Sequence, residues 1–334
     1  MLLRNNSLIE KIIEKLKNLL YQSKILFLYS RIPFNIKYLF LNAKTPKSIN
    51  LSLSVRCQAQ CIYCPKDRGS RIFPKDMSFQ TAKIIIDQQK NKNYKGRWLI
   101  SENGDPFLNN EWYKITKYLR DAFAENELII FTNMGLVNIN VAEKILSLRP
   151  KAIIFNMDGA TADTYEYVKK GLDFIEVKNN IINFIKLRNS INSECRIIVY
   201  IISAYRYLKT FKKDTSGFID DTEDIVSILK PYIKSGDNIV RKCTIGLWHL
   251  RESLNLRKDN ICSQIIRILC ELFVAPNGAV YPCCSMYNAD IDIGNINYEK
   301  IDQIWHGKKR EKFLKHLFNK NYSEIGKPCS ICVY

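Results

Sequence analysis

The sequence predicts an α/β protein, a run of parallel βα units followed by a small cysteine-rich C-terminal domain. Three observations lead there. Strand and helix patterns alternate five or six times between residues 49 and 240, the signature of parallel βα units. Most of those strands are apolar on both faces, as when helices cover a parallel sheet. After residue 268 the alternation stops, and cysteines gather around a hairpin signal and a terminal C-x2-C.

The elements follow in order. Residues 7–20, SLIEKIIEKLKNLL, have Leu and Ile at helical spacing, with a capping box from Ser7 to Glu10. Strands are expected at 49–55, 97–101, 128–132, 152–157, 196–203 and, weakly, 238–240. Helices are expected around 81–90, 111–123, 137–148, 173–189 and 221–233. Residues 241–262 have no clear pattern and include His249, Arg251 and Glu252. Two short strands flank Pro276-Asn277-Gly278, a turn signal. Residues 301–318 read as one helix whose basic side, 308–316, is solvated. The expected divisions are a helical extension over 1–47, the βα units over 48–245 and the cysteine-rich domain over 246–334. In parallel βα folds the loops after the strands carry the chemistry.

The chain has 334 residues, 46% hydrophobic and 25% charged, with a formal charge of +18. These values are ordinary for a globular protein apart from the charge. Its lysines are scattered rather than blocked, and no nucleic-acid signature accompanies them, so no nucleic-acid partner is expected. The N-terminal helix could dock on an anionic membrane, but covering a core or partner is the commoner use of such a helix. No secretory signal is visible. A cytoplasmic, reducing setting is expected, in which eleven cysteines point to metal or catalysis rather than to disulfides.

Cys57, Cys61 and Cys64 are spaced C-x3-C-x2-C directly after the first strand. Three clustered thiolates suit zinc or an iron–sulfur cluster with one open position, and spacing alone does not choose. The motif, with Tyr63 before its last cysteine, resembles the radical S-adenosylmethionine (SAM) superfamily. Asn103-Gly104-Asp105-Pro106 after strand two is similar to that family's Gly-Glu motif for the SAM amino group, with Asp105 in place of glutamate. Thr132-Asn133-Met134-Gly135 resembles its T-N-G, and Asp158-Gly159-Ala160-Thr161 with Tyr165 its D-G-x-T…Y. The resemblance implies a partial (β/α)6 TIM-type barrel. It also implies a [4Fe-4S] cluster held by Cys57, Cys61, Cys64 and SAM, with Tyr63, Asn103, Gly104, Asp105, Asn133 and Asp158 around the cofactor. Tyr63 would pack near the adenine.

Cys270, the stretch Gly278–Cys283 and the terminal Cys329-x2-Cys332 resemble the SPASM/twitch extensions of this superfamily, as do Ile293-Gly294-Asn295-Ile296 and Ile304-Trp305. That implies one auxiliary [4Fe-4S] cluster on Cys270, Cys283, Cys329 and Cys332. Cys262 and Cys284 are spare neighbours able to replace Cys270 or Cys283. A four-cysteine zinc site is the alternative. Cys195 and Cys243 read as buried small hydrophobes.

The activity implied is reductive cleavage of SAM to a 5′-deoxyadenosyl radical, followed by hydrogen abstraction. The expected reaction oxidises a small polar substrate, sugar-like or aminocyclitol-like. Modification of a ribosomal peptide is the alternative, disfavoured because the residues before 48 read as helix rather than as a peptide-recognition domain. A non-catalytic metal-binding protein is the remaining one. An electron donor such as flavodoxin or ferredoxin is the expected partner.

Overall fold

The computed structural model describes residues 45–64, 72–100, 103–210, 213–241, 262, 264–284, 291–326 and 329–331. The helix expected over 7–20, together with Cys243, His249, Arg251, Glu252 and Cys332, lies outside the described residues.

Five βα units and a sixth strand open the described chain. They run β1 Ser48–Leu51, α1 Phe79–Asn91, β2 Arg97–Ile100, α2 Trp112–Ala122, β3 Leu128–Thr132, α3 Ile139–Ser147 and β4 Ala152–Asn156. Then come α4 Ala162–Val168, α5 Phe174–Ser190, β5 Arg196–Ile201, α6 Ala204–Thr210, α7 Thr222–Leu229 and β6 Asn238–Arg241. All pairings among β1–β6 are parallel and sequential. Helix starts follow side-chain chemistry. Ser78, Asn138, Thr161 and Asp173 each accept a first-turn backbone N–H, satisfying donors the helix leaves open.

The C-terminal part is α8 Ile265–Cys270, β7 Glu271–Val274, β8 Ala279–Tyr281, β9 Gly294–Asn295, α9 Ile301–Trp305, α10 Lys308–Phe318 and α11 Tyr322–Ile325. The expected hairpin is present: β7 and β8 pair antiparallel around Gly278, whose φ is +81°. The two parts share one sheet. Strand β7 pairs parallel with β1, so one nine-stranded sheet runs β6-β5-β4-β3-β2-β1-β7-β8-β9.

Three expectations change. Strand one ends at Leu51 rather than residue 55. Beyond it the chain leaves β2 and turns to 75–77, with Met77 N–H donating to Leu53 O and Val55 N–H to Lys75 O. The single helix over 301–318 is two helices, because Gly307 takes an extended N-cap conformation and its Cα lies where a Cβ would meet Gln303 O at 2.6 Å. The basic side of α10 is not wholly solvated. Arg310 is buried, its guanidinium 3.5 Å above the Trp305 ring and donating to Trp305 O.

Two packed regions result. The larger lies between sheet and helices and takes Ile49, Leu51, Ile85, Ile86, Ile130 and Phe155. The alternate residues of β1 therefore face the inside of the barrel. That inner face is polar yet buried: Ser48, Asn50, Ser52 and Ser54 are all 0% exposed. Neighbouring strands add half-buried Ile129, Phe131, Asn156, Ile198 and Tyr200. The smaller region packs Val55, Ile72, Phe273, Tyr281, Phe313 and Leu314 together with most of the C-terminal cysteines. Among the described residues, no helix is long and apolar enough to cross a membrane.

Candidate active site

The loop of Cys57, Cys61 and Cys64 leaves the C-terminal end of β1 without regular structure of its own, so its shape comes from its neighbours. Gln60 N–H donates to Lys170 O (2.7 Å) and Ile62 N–H to Val168 O (3.0 Å), a short ladder onto the chain after α4. Arg56 forks onto Asp76 and also donates to Leu108 O. Asp105 N–H donates to Arg56 O (2.8 Å). Cys57 is exposed, Cys61 and Cys64 are half-buried, and the described cysteines form no disulfide.

The strand-end residues converge beneath this loop. Gly104 has φ +70°, and a Cβ there would lie 2.5 Å from both Ser54 O and Arg56 O, so only glycine lets the loop after β2 approach so closely. Asp105 is 0% exposed. Its Oδ1 accepts from Phe107 N–H, and its Oδ2 from Thr132 Oγ1 (2.9 Å) and Asn133 N–H (3.0 Å). Burial raises its carboxyl, and these donors only partly offset that. Asp105 is the residue expected beside the SAM amino group; within the protein its carboxylate ties the loops after β2 and β3 together.

Asn133 reaches the cysteine loop. Its Nδ2 donates to Cys57 Sγ (3.4 Å), while its Oδ1 accepts from Gln58 Nε2 (2.9 Å) and Gly135 N–H (2.8 Å). Tyr63 donates from its hydroxyl to Asp158 Oδ2 (2.5 Å) and meets Tyr207 edge-on at 6.3 Å. Asp158 is 0% exposed, and its Oδ1 accepts from Ile202 N–H. Lys169 completes the group, with Nζ 3.1 Å from Asp158 Oδ2 and 5.3 Å from the Tyr63 ring centroid. Burial and then the Asp158 carboxylate push the Tyr63 phenol well above its usual range. Burial alone would lower the Lys169 ammonium, but Asp158, with smaller help from Cys61, holds it well above its usual value. Sequence reasoning missed Gln58 and Lys169. Gln58 stands at an unassigned position between Cys57 and Cys61, and Lys169 lies in no motif and is brought to the loop by the fold.

The second cysteine group also assembles. Cys270 and Cys283 are buried in the smaller core, and Cys262, Cys284 and Cys329 pack against it. Three of the four expected ligands thus belong to one packed region, and the fourth, Cys332, lies outside the described residues. The spare Cys262 and Cys284 are beside them. Arg267 donates to Cys284 Sγ at 3.8 Å, and Asn103 Nδ2 donates to Cys284 O at 3.4 Å. That last bond joins the loop after β2 to the second group.

The two cysteine sets suit iron–sulfur clusters. Each offers sulfur donors in one loop or core, and each has an N–H donor aimed at a sulfur, Asn133 at Cys57 and Arg267 at Cys284. Such donors stabilise thiolate charge on a cluster. Among the described residues no three His, Cys, Asp or Glu side chains close on a single-ion position. A cubane asks for something different, since its thiolates bind separate irons at its corners.

Comparison with known proteins agrees. Residues 51–203 match the model of the radical SAM superfamily, and residues 262–333 match that of SPASM, an iron-sulfur cluster-binding domain. The chain carries a radical SAM domain followed by a SPASM domain. Its two domains carry the cofactors of that family, a SAM-binding [4Fe-4S] cluster and auxiliary iron–sulfur binding. One curated relative is the GTP 3′,8-cyclase of Lactiplantibacillus plantarum, 24% identical over 136 residues that span 40% of each chain. The match thus spans well under half the length of that relative. Similar solved structures include BtrN in complex with AdoMet and 2-DOIA (16% identity, 86% of this chain and 93% of that one, TM-score 0.54). Another is Streptococcus suis SuiB bound to S-adenosylmethionine (14%, 90% and 80%, TM-score 0.56). At these identities the likeness is one of fold.

Proposed function

We propose that this radical SAM protein is an enzyme that cleaves SAM reductively and oxidises a small polar substrate, sugar-like or aminocyclitol-like. The observation that carries the first part is the buttressed three-cysteine loop with Asn133 donating to Cys57 Sγ. When bound, the cluster and SAM supply a 5′-deoxyadenosyl radical for hydrogen abstraction. The chain's own residues do the rest. Cys57, Cys61 and Cys64 would hold the cluster, and Gly104 and Asp105 bring the loop after β2 against the cysteine loop. The Lys169–Asp158–Tyr63 group fixes the loop's other side. Cys270, Cys283, Cys329 and Cys332 would hold one auxiliary cluster, with Cys262 and Cys284 as the neighbours able to take a ligand's place.

The substrate class rests on the inner face of β1. Asn50 is fully buried there and neither its Oδ1 nor its Nδ2 has a hydrogen-bond partner, nor does Ser48 Oγ below it. Buried amides seek partners, and a polar molecule in the barrel provides one. Support also comes from size, since this chain and BtrN cover 86% and 93% of one another. A peptide substrate is the second reading, favoured by the resemblance to anSMEcpe solved with bound AdoMet and a Cp18Cys peptide (TM-score 0.53). A flavodoxin- or ferredoxin-type donor and a cytoplasmic setting complete the proposal.

Anaerobic purification, iron and sulfide counting, and SAM cleavage assays test it. We expect about eight irons per chain from two cubanes and 5′-deoxyadenosine on addition of SAM and reductant. Cys57→Ala, Cys61→Ala and Cys64→Ala should each abolish that product, and a triple variant that still makes it would overturn the reading. Deuterated polyols and deuterated peptides, offered in turn, separate the substrate classes by which label appears in 5′-deoxyadenosine.

A further inference from the structure

Among the described residues, Lys169 is a buried cation at the cysteine loop that no sequence motif explains. We propose that Lys169 is a positioning residue that neutralises the buried Asp158 carboxylate, and so keeps that charge from lowering the reduction potential of the cluster on Cys57, Cys61 and Cys64. This rests on the radical SAM reading above.

Asp158 is built into the loop's support. Its Oδ2 accepts from Tyr63, which lies between Cys61 and Cys64, and its Oδ1 from the backbone after β5. A carboxylate so placed is a fixed negative charge. Its side chain is 0% exposed, so water screens it little. Adding an electron to a cluster beside such a charge is disfavoured, because cluster potential follows local charge. Lys169 answers this with Nζ 3.1 Å from Asp158 Oδ2, its own side chain 5% exposed. The backbone delivers it there. Ile62 N–H on Val168 O and Gln60 N–H on Lys170 O hold residue 169 opposite the loop. Gly171, with φ +89°, lets the chain lie against Gln58 O, which a Cβ would approach to 2.7 Å. The pair is thus neutral as a unit, with its two charges held close to the cysteines.

The test is a charge cycle read by EPR-monitored redox titration of the reconstituted protein without SAM. The loop cluster's signal is the one absent from the triple Cys57/Cys61/Cys64→Ala variant. Lys169→Gln leaves the carboxylate uncompensated and should shift that potential down. Asp158→Asn leaves the ammonium and should shift it up. The double variant D158N/K169Q, again neutral, should return to the wild-type value. Since removing one partner of a buried pair is destabilising, either single variant that loads a cluster decides the sign by itself. Melting temperatures of the cluster-free proteins report the packing cost separately. Shifts of the same sign, no shift, or a double variant displaced from wild type would overturn the inference. So would failure of the neutral double variant to load a cluster, which would make the trio's role purely structural. A wild-type protein that takes up no loop cluster would instead sink the functional reading itself.

Discussion

At the scale of single residues, the site depends on a few atoms with no room to move. Gly104→Ala puts a methyl group against two backbone carbonyls at a positive φ. It should destabilise the protein by about 1–3 kcal/mol, read from denaturant melts, and reduce cluster loading. Asn133→Leu keeps the approximate size but removes the N–H···S bond to Cys57 and the acceptor for Gln58 and Gly135. Outer-shell losses of this kind weaken metal binding by roughly 10- to 100-fold, so iron should leave faster on dialysis against a chelator. The motif residues were legible in the sequence because cysteine spacing and strand-end glycines carry local constraints. The direction of a side chain was not. Asp105 fits its motif, yet the partners that tie its carboxylate, Thr132 and Asn133, come from another strand.

Among the elements, the helix α5 and strand β6 are fastened by a buried ion pair. Arg188 Nη2 lies 2.6 Å from Asp237 Oδ2, with the two side chains 0% and 2% exposed. Burial alone would raise the Asp237 carboxyl. Arg188, then the N–H groups of Lys234 and Ile197, outweigh it and hold the group below its ordinary value. A depressed carboxyl contributes stability that is fully present above its unfolded-state value and is lost as pH falls through the folded one. Thermal midpoints should therefore drop on the acid side of the ordinary carboxylate range. Asp237→Asn should cost about 3–5 kcal/mol at neutral pH and flatten that acid limb. The parallel strands and their main helices were readable from periodicity. The short helices α4, α6, α8 and α11 were not, because four to seven residues give too little periodicity to detect. The break between α9 and α10 was hidden for a different reason. Gly307 stands in an otherwise helical pattern, and stacking of Arg310 on Trp305 joins the two pieces where the pattern shows continuity.

In the whole molecule, the pairing of β7 with β1 makes the C-terminal cysteine-rich part a wall of the barrel. Its existence was legible from the hairpin signal and the cysteines. Its attachment was not, since parallel pairing between segments so far apart leaves no local mark. A version of the protein ending at residue 245 would bare the edge of β1 at Ser48–Leu51, and bare edges pair with other chains. We expect such a truncation to be found in the insoluble fraction, while full-length protein with both cysteine groups stays monodisperse by size-exclusion chromatography. The same pairing has a consequence in time. Ser48 must wait for Glu271 to leave the ribosome, roughly ten to forty seconds at ordinary translation speeds. Through that interval the cysteine loop is already synthesised but its barrel is open, so cluster delivery before the last strand docks would find a half-built cradle. Maturation of this protein should therefore be post-translational, with metal insertion following chain completion.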